Sequence, residues 1–204
     1  MISLKSIVNR LRKADAPAEA ESLKVTPDMI AAAIVTRAEN EAKALKDLAL
    51  VGGLPIDENV LRSVVEEWIS YYWALWIDRL NVAFERDNIL IPLYFAGMSQ
   101  TMQATFPQYN RATDESVREE AKQLYFVPKQ NVLTEKYLDF CEPEFLANDN
   151  VWGLRLIALN ARLCKLLNYP RGTPGFVLLF LHIGAGRELD LSLFDRFIPV
   201  LSGT

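Results

Sequence analysis

A chain of 204 residues with a net charge of −4 is long enough to bury a core without metals or disulfides, and it is sized for one domain with a short arm. The acidic balance lacks the basic footprint that general nucleic-acid binding needs. One histidine and two cysteines without CxxC spacing cannot build the usual structural zinc sites or the two Glu-x-x-His units of a four-helix di-iron centre.

No cofactor and no metal is therefore expected, and Cys141 and Cys164 read as two buried, idle thiols. A cytoplasmic or other reducing compartment fits them. No apolar run reaches the roughly 18 to 20 residues of a membrane span, and the N-terminus carries no apolar secretory core, so no transmembrane segment or signal is expected.

Residues 1–22 read as an N-terminal amphipathic arm and linker. Leu4, Ile7, Val8 and Leu11 repeat at helical spacing. Lys5, Arg10, Arg12 and Lys13 make the arm basic, and Ala14 to Ser22, with Pro17, separates it from the rest. Such an arm suits docking on a neighbouring subunit, contact with a membrane surface, or a mitochondrial-type presequence. It could equally pack as a first helix on its own core. Residues 23–204 read as a single all-α globular domain.

Thr26-Pro27-Asp28 is a helix start, with a capping residue, proline in the first turn and an acid behind it. The helix is expected to reach about Leu50, ended by Gly52-Gly53. Ile30, Ile34, Ala38, Leu45 and Leu48 form its apolar side. Its middle, Arg37 to Asp47, is rich in Ala, Glu and Lys and reads as solvated.

Asp57 can cap the next helix, expected to run to about Arg86. Inside it, Trp68 to Ile77 passes without a charge and holds three of the four tryptophans. Val60, Val64, Trp68, Tyr72 and Trp76 make one ridge; Ile69, Trp73, Ile77 and Leu80 make another. A helix apolar on most of its circumference is buried on more than one side. Base stacking would want interleaved Lys and Arg, and none stands between Arg62 and Arg79. Core packing is the main expectation. Trp73 and Ile77 are the face expected to meet a partner, and Trp73 with Trp76 could line an apolar-ligand pocket.

Ile89 to Thr105 reads as a broken helix, interrupted by Pro92 and Gly97. Thr113-Asp114-Glu115-Ser116 opens a helix ending near Val127. Asn131 to Cys141 is helical and stopped by Pro143. Asn150 can cap Val151 to Asn168, an amphipathic helix with Trp152, Leu156, Leu159, Leu163 and Leu166. After the apolar run Phe176 to Ile183, Gly184-Ala185-Gly186 is expected to break the chain before a short last helix from Asp190 to Leu201. Helical patterns recur, strand alternation is nearly absent, and no repeat appears. The fold expected is all-α: an irregular bundle of about seven to nine helices around a central aromatic-rich helix.

Chemistry is sparse. Gly97-Met98-Ser99-Gln100-Thr101 nearly matches a nucleophile elbow, and Ser99, an acid such as Asp139 or Asp149, and His182 follow the hydrolase order. Thr101 replaces the final glycine, and the required sheet is missing. Gly184-Ala185-Gly186 opens like a dinucleotide loop, but Leu189 holds the third glycine position. Asp139, Glu142 and Glu144 lack calcium-loop spacing. Glu66 and Glu67 are adjacent, so on a helix they point in different directions.

The functional expectation is a non-enzymatic protein–protein interaction protein or structural subunit of a larger assembly. It would be a homo-oligomer or be bound to protein partner subunits, with a viral particle component among the forms. The alternatives are a small serine hydrolase using Ser99 and His182, or an apolar-ligand-binding helical protein.

Overall fold

The computed structural model describes residues 25–83, 90–109, 119–142 and 151–195. In chain order these hold α1 (Pro27–Val51), α2 (Glu58–Ala83), α3 (Leu90–Thr105), a π-helical turn (Lys122–Phe126) and α4 (Gln130–Tyr137). A 3-10 turn (Leu138–Phe140), α5 (Val151–Leu167) and α6 (Pro174–Asp195) follow. The protein is an all-α multi-helix bundle, with no strand among the described residues. The arm at 1–22, the helix start at Thr113, the cap at Asn150 and the residues beyond Asp195 lie outside the described residues.

The helix ends follow local chemistry. The Thr26 backbone is extended, and its Oγ1 accepts from the Met29 N–H at 3.4 Å. Asp57 Oδ1 accepts from the Asn59 N–H at 2.8 Å and so opens α2. At the end of α1, the Leu54 N–H donates to the Ala49 carbonyl at 2.8 Å and the Gly53 N–H to that of Leu50 at 3.1 Å. This is a Schellman closure, and it needs a left-handed residue, which Gly53 supplies at φ 73°.

α2 is the centre. It packs against α1, α3, α5, α6 and the π turn. Eight of the ten residues from Trp68 to Ile77 are buried, with Ser70 and Ile77 half-buried. Trp68 stacks on Tyr72 at 5.5 Å, and Trp73 meets Phe95 of α3 edge-on at 5.5 Å. Such aromatic pairs add to the area they bury.

Three expectations need correction. The middle of α1 is not solvated as a whole: Ala38, Glu41, Ala42 and Leu45 are buried, while Leu48 is 40% exposed. The small alanines let α2 come close on that side, so the helix turns a different stripe inward than its leucines suggested. α3 is one continuous helix. Pro92 lies in its first turn, where backbone N–H groups have no intrahelical partner anyway. Gly97 serves close approach: a Cβ there would stand 2.7 Å from Pro27. Third, Gly184-Ala185-Gly186 does not break the chain. α6 runs through it from Pro174 to Asp195, so no separate last helix begins at Asp190. A helical glycine costs about 1 kcal/mol. The packing of Phe176, Leu179 and Ile183 into the core offsets that.

Two glycine substitutions should therefore have opposite signs. Gly53→Ala should destabilise the protein by about 1 kcal/mol, through backbone strain alone, since no atom lies within 4 Å of the added Cβ. Gly184→Ala, exposed inside α6, should stabilise it by roughly 0.5–1 kcal/mol. Urea denaturation measures both; a loss of stability in Gly184→Ala would contradict a continuous α6.

Candidate functional site

A polar cleft of about 390 Å³ opens between α2, α4 and α5 and is lined by Glu66, Glu67, Glu120, Tyr137, Arg162 and Lys165 among others. Its centre is Arg162 on α5. Arg162 Nε donates to Glu67 Oε2 at 2.6 Å, and its Nη2 donates to Glu67 Oε1, a two-pronged pair. Its Nη1 lies 3.1 Å from Glu120 Oε2.

Two tyrosines close the network. Tyr125 donates to Glu67 Oε2 at 2.9 Å and Tyr137 to Glu120 Oε1 at 2.6 Å. The π turn is what aims Tyr125: the wider turn, closed by the Val127 N–H on the Lys122 carbonyl at 2.9 Å, puts Leu124 and Tyr125 into the core. The Lys165 ammonium sits 4.9 Å over the Tyr137 ring.

The electrostatics hold these groups in fixed protonation states. Burial opposes ionisation of Glu120, but the Tyr137 hydroxyl and the Arg162 guanidinium outweigh it and keep the carboxyl below the usual range. Burial alone would lower the pKa of Arg162; the Glu67 carboxylate raises it instead. Burial, together with nearby carboxylates, pushes Tyr125 and Tyr137 well up, so both remain donors. The Glu67 carboxylate is taken up by two prongs of Arg162 and by the Tyr125 hydroxyl, and Ser63 and Ser70 line the same cleft. The arrangement braces helices. Glu66 and Glu67 line the same cleft, although their adjacency suggested divergent directions; the cleft is wide enough to span both helix faces.

A second polar cluster lies inside the bundle. Glu41 on α1 pairs with Arg37 at 2.6 Å, and Arg37 Nε donates to the Tyr72 hydroxyl at 3.2 Å. His182 Nε2 stands 3.3 Å from Glu41 Oε2, within ion-pair reach but without hydrogen-bond alignment. Its ring meets Trp68 edge-on at 6.3 Å. Burial opposes ionisation of Glu41, yet His182 and Arg37 prevail and hold its carboxyl below the usual range.

No family model matches the chain, and no curated protein and no solved structure is similar to it. The site must be read from its own residues.

Ser99 sits half-buried within the unbroken helix α3, so the strand–turn–helix setting of a nucleophile elbow is absent there. His182 belongs to α6 and faces Glu41. Asp139 is exposed on the 3-10 turn, and Asp149 lies outside the described residues. The Gly184 segment is helix rather than dinucleotide loop. Trp73 is 7% exposed and covered by Phe95, Trp76 is fully buried, and Ile77 packs half-buried against the core. Leu4, Ile7, Val8 and Leu11 lie outside the described residues, as does Glu144. Cys141 and Cys164 are free and buried, and burial, aided by the nearby Cys141, pushes the Cys164 thiol up to about 12. Among the described residues no group of three or more His, Cys, Asp or Glu could hold a metal.

The sequence reading missed Arg162, Glu41 and Arg155 as interior groups. Arg155 is buried on α5, pairs with Asp78 and donates from Nη2 to the Phe126 carbonyl at 3.3 Å. Its signal was a charge seven residues from Arg162, two turns along one helix.

Two predictions follow from the charges. Glu41 and Glu120 have folded pKa values below the ordinary 4.5. Their contribution to stability is full above that value and is lost as pH falls through the depressed folded pKa. Urea midpoints measured from about pH 7 to about pH 3 should fall on the acid side, and Glu41→Gln and Glu120→Gln should each flatten that fall. Arg162→Ala should cost roughly 3 kcal/mol by stranding Glu67, while Glu67→Gln combined with Arg162→Met should recover part of it. A double variant as unstable as the sum of its singles would refute the coupling.

Proposed function

We propose that this protein is a non-enzymatic interaction or assembly subunit, associating with copies of itself or with protein partners. The reading is carried by α6, which is apolar on two faces. Phe176, Leu179 and Ile183 enter the core, while Val177, Phe180 and Leu181 are 52%, 41% and 65% exposed. Their spacing of three and four puts these exposed residues on one side of the helix.

The end of α1 lies alongside. Leu178 reaches to 3.0 Å from where a Gly52 Cβ would stand. Leu48, Leu50 and Val51 are exposed there, Val51 at 88%. Single exposed apolar residues are ordinary; grouped ones mark interaction sites. Among the described residues, α6 thus leaves Val177, Phe180 and Leu181 exposed, whereas Trp73 and Trp76 of α2 are buried. The interior charges support the same reading, because Glu67 with Arg162, Arg155 with Asp78 and Glu41 with His182 each join two helices. No described helix is long and apolar enough to cross a membrane.

Light scattering on the purified protein should give a mass above 23.1 kDa, or a stable complex with a partner from the source. Val177→Asp with Leu181→Asp should abolish the association and leave helical content intact, because both side chains already face solvent. A wild-type protein that stays at 23.1 kDa at high concentration and retains no partner refutes the proposal.

A further inference from the structure

We propose that the cavity between α5 and α6 is a binding site for a compact, neutral aromatic molecule carrying one hydrogen-bond donor, of the phenol class. The cavity holds about 260 Å³. Leu156, Ile157, Phe176, Phe180 and Ile183 form its apolar walls. Cys141 adds to them as a neutral thiol, since burial raises its pKa. Among these walls stands Asn160, 5% exposed, whose Oδ1 has no hydrogen-bond partner. Native interiors rarely leave a buried carbonyl oxygen unbonded. Its neighbours along α5, Ala158, Leu159, Ala161 and Leu163, are all apolar and buried. A leucine would have filled the same space without that cost, so packing does not explain the amide.

Each property of the ligand follows from the walls. The unbonded atom is an acceptor, so the ligand supplies an O–H or N–H. Two phenylalanines line the space, which favours a flat ring in edge or offset contact. The volume is below the roughly 300 Å³ at which drug-sized pockets begin, so one ring fits better than two. A charged ligand would lose its hydration against the apolar walls, and an anion would also meet the Glu142 carboxylate that lines the cavity. Gly184 borders the cavity and is exposed, and a Cβ there would meet nothing within 4 Å. The mouth is open on that side. This inference does not depend on association, because Asn160, Phe176 and Ile183 are buried and only Phe180 is shared with the exposed stripe of Val177 and Leu181.

Calorimetric titration with p-cresol and with p-xylene, which differ by a hydroxyl in place of a methyl, tests it on the intact protein. p-Cresol should bind saturably, one per chain, and about tenfold more tightly than p-xylene. Asn160→Leu should remove that preference while still admitting both rings. In the unaltered protein the Asn160 side-chain amide resonance should move with p-cresol and stay put with p-xylene, which keeps the test valid if the variant folds poorly. Equal affinities, no binding of p-cresol at millimolar concentration, or a preference that survives Asn160→Leu would overturn the proposal. So would p-cresol binding that weakens as protein concentration rises, since a second copy would then occupy the cavity.

Discussion

The structure depends on keeping ten charge-free residues dry. Trp68 to Ile77 is fenced at its two ends by Glu67 and Asp78, and α5 grips both, Arg162 holding Glu67 and Arg155 holding Asp78. The pairing runs in opposite directions along the two helices, so α5 lies antiparallel to α2. The arginines are seven residues apart (162 − 155) and the carboxylates eleven (78 − 67). At 1.5 Å per residue these are separations of about 10 and about 16 Å. The guanidinium groups must therefore splay outward to reach. A slip of one turn would bring one arginine closer and break the other pair, stranding either Glu67 or the buried Arg155, and an unpaired buried charge is far more costly than a pair is favourable. The clamp thus sets register more than it adds stability, while the tryptophans supply the burial.

Tyrosine does for the rest of the bundle what arginine does for α5. Tyr94 donates to the Val25 carbonyl at 2.7 Å, Tyr109 to Glu39 at 2.8 Å and Tyr169 to the Leu54 carbonyl at 3.3 Å. With Tyr72, Tyr125 and Tyr137, six of the seven tyrosines tie one segment to another through the hydroxyl. The ring fills an interhelical gap and the hydroxyl bonds a group that burial would otherwise strand. A bundle this rich in apolar residues could settle in several packings. Directional bonds from rings reduce that freedom without introducing new charges.

Much of this architecture was legible in the chain, and the exceptions share a cause. Thr26, Asp57 and Gly53 act locally, so the starts of α1 and α2 and the end of α1 could be read directly. The aromatic centre could be read because no solvated helix carries so much ring surface. What could not be read depended on a partner far along the chain. Nothing local says that Arg162 meets Glu67, 95 residues away, or that Glu41 in an alanine-rich stretch turns inward toward Arg37 and His182. Gly184 and Gly186 looked like a stop because local propensity favours one. α6 continues because its packing against the core outweighs that preference. The hydrolase pattern shows the same limit in reverse: Gly97 and Ser99 fit a motif whose meaning resides in a strand and turn, and the described residues hold a continuous helix there.

What the fold leaves over is the best guide to its role. Among the described residues, Glu67 pairs with Arg162 and His182 stands beside Glu41, so these two residues first suspected of chemistry tie one helix to another. Two things are not consumed in this way. One is the outer face of α6 with the end of α1, apolar where a solvated helix would be polar. The other is Asn160, polar where its neighbours are apolar. Asn160 stands on α5, across the cavity from α6. A ligand seated against Phe176, Phe180 and Ile183 would contact the inner face of α6, whose outer face carries Val177 and Leu181. Phe180 borders the cavity and is also part of the exposed stripe. One ring thus belongs to both features, so the proposed cavity and the proposed surface share a wall at Phe180.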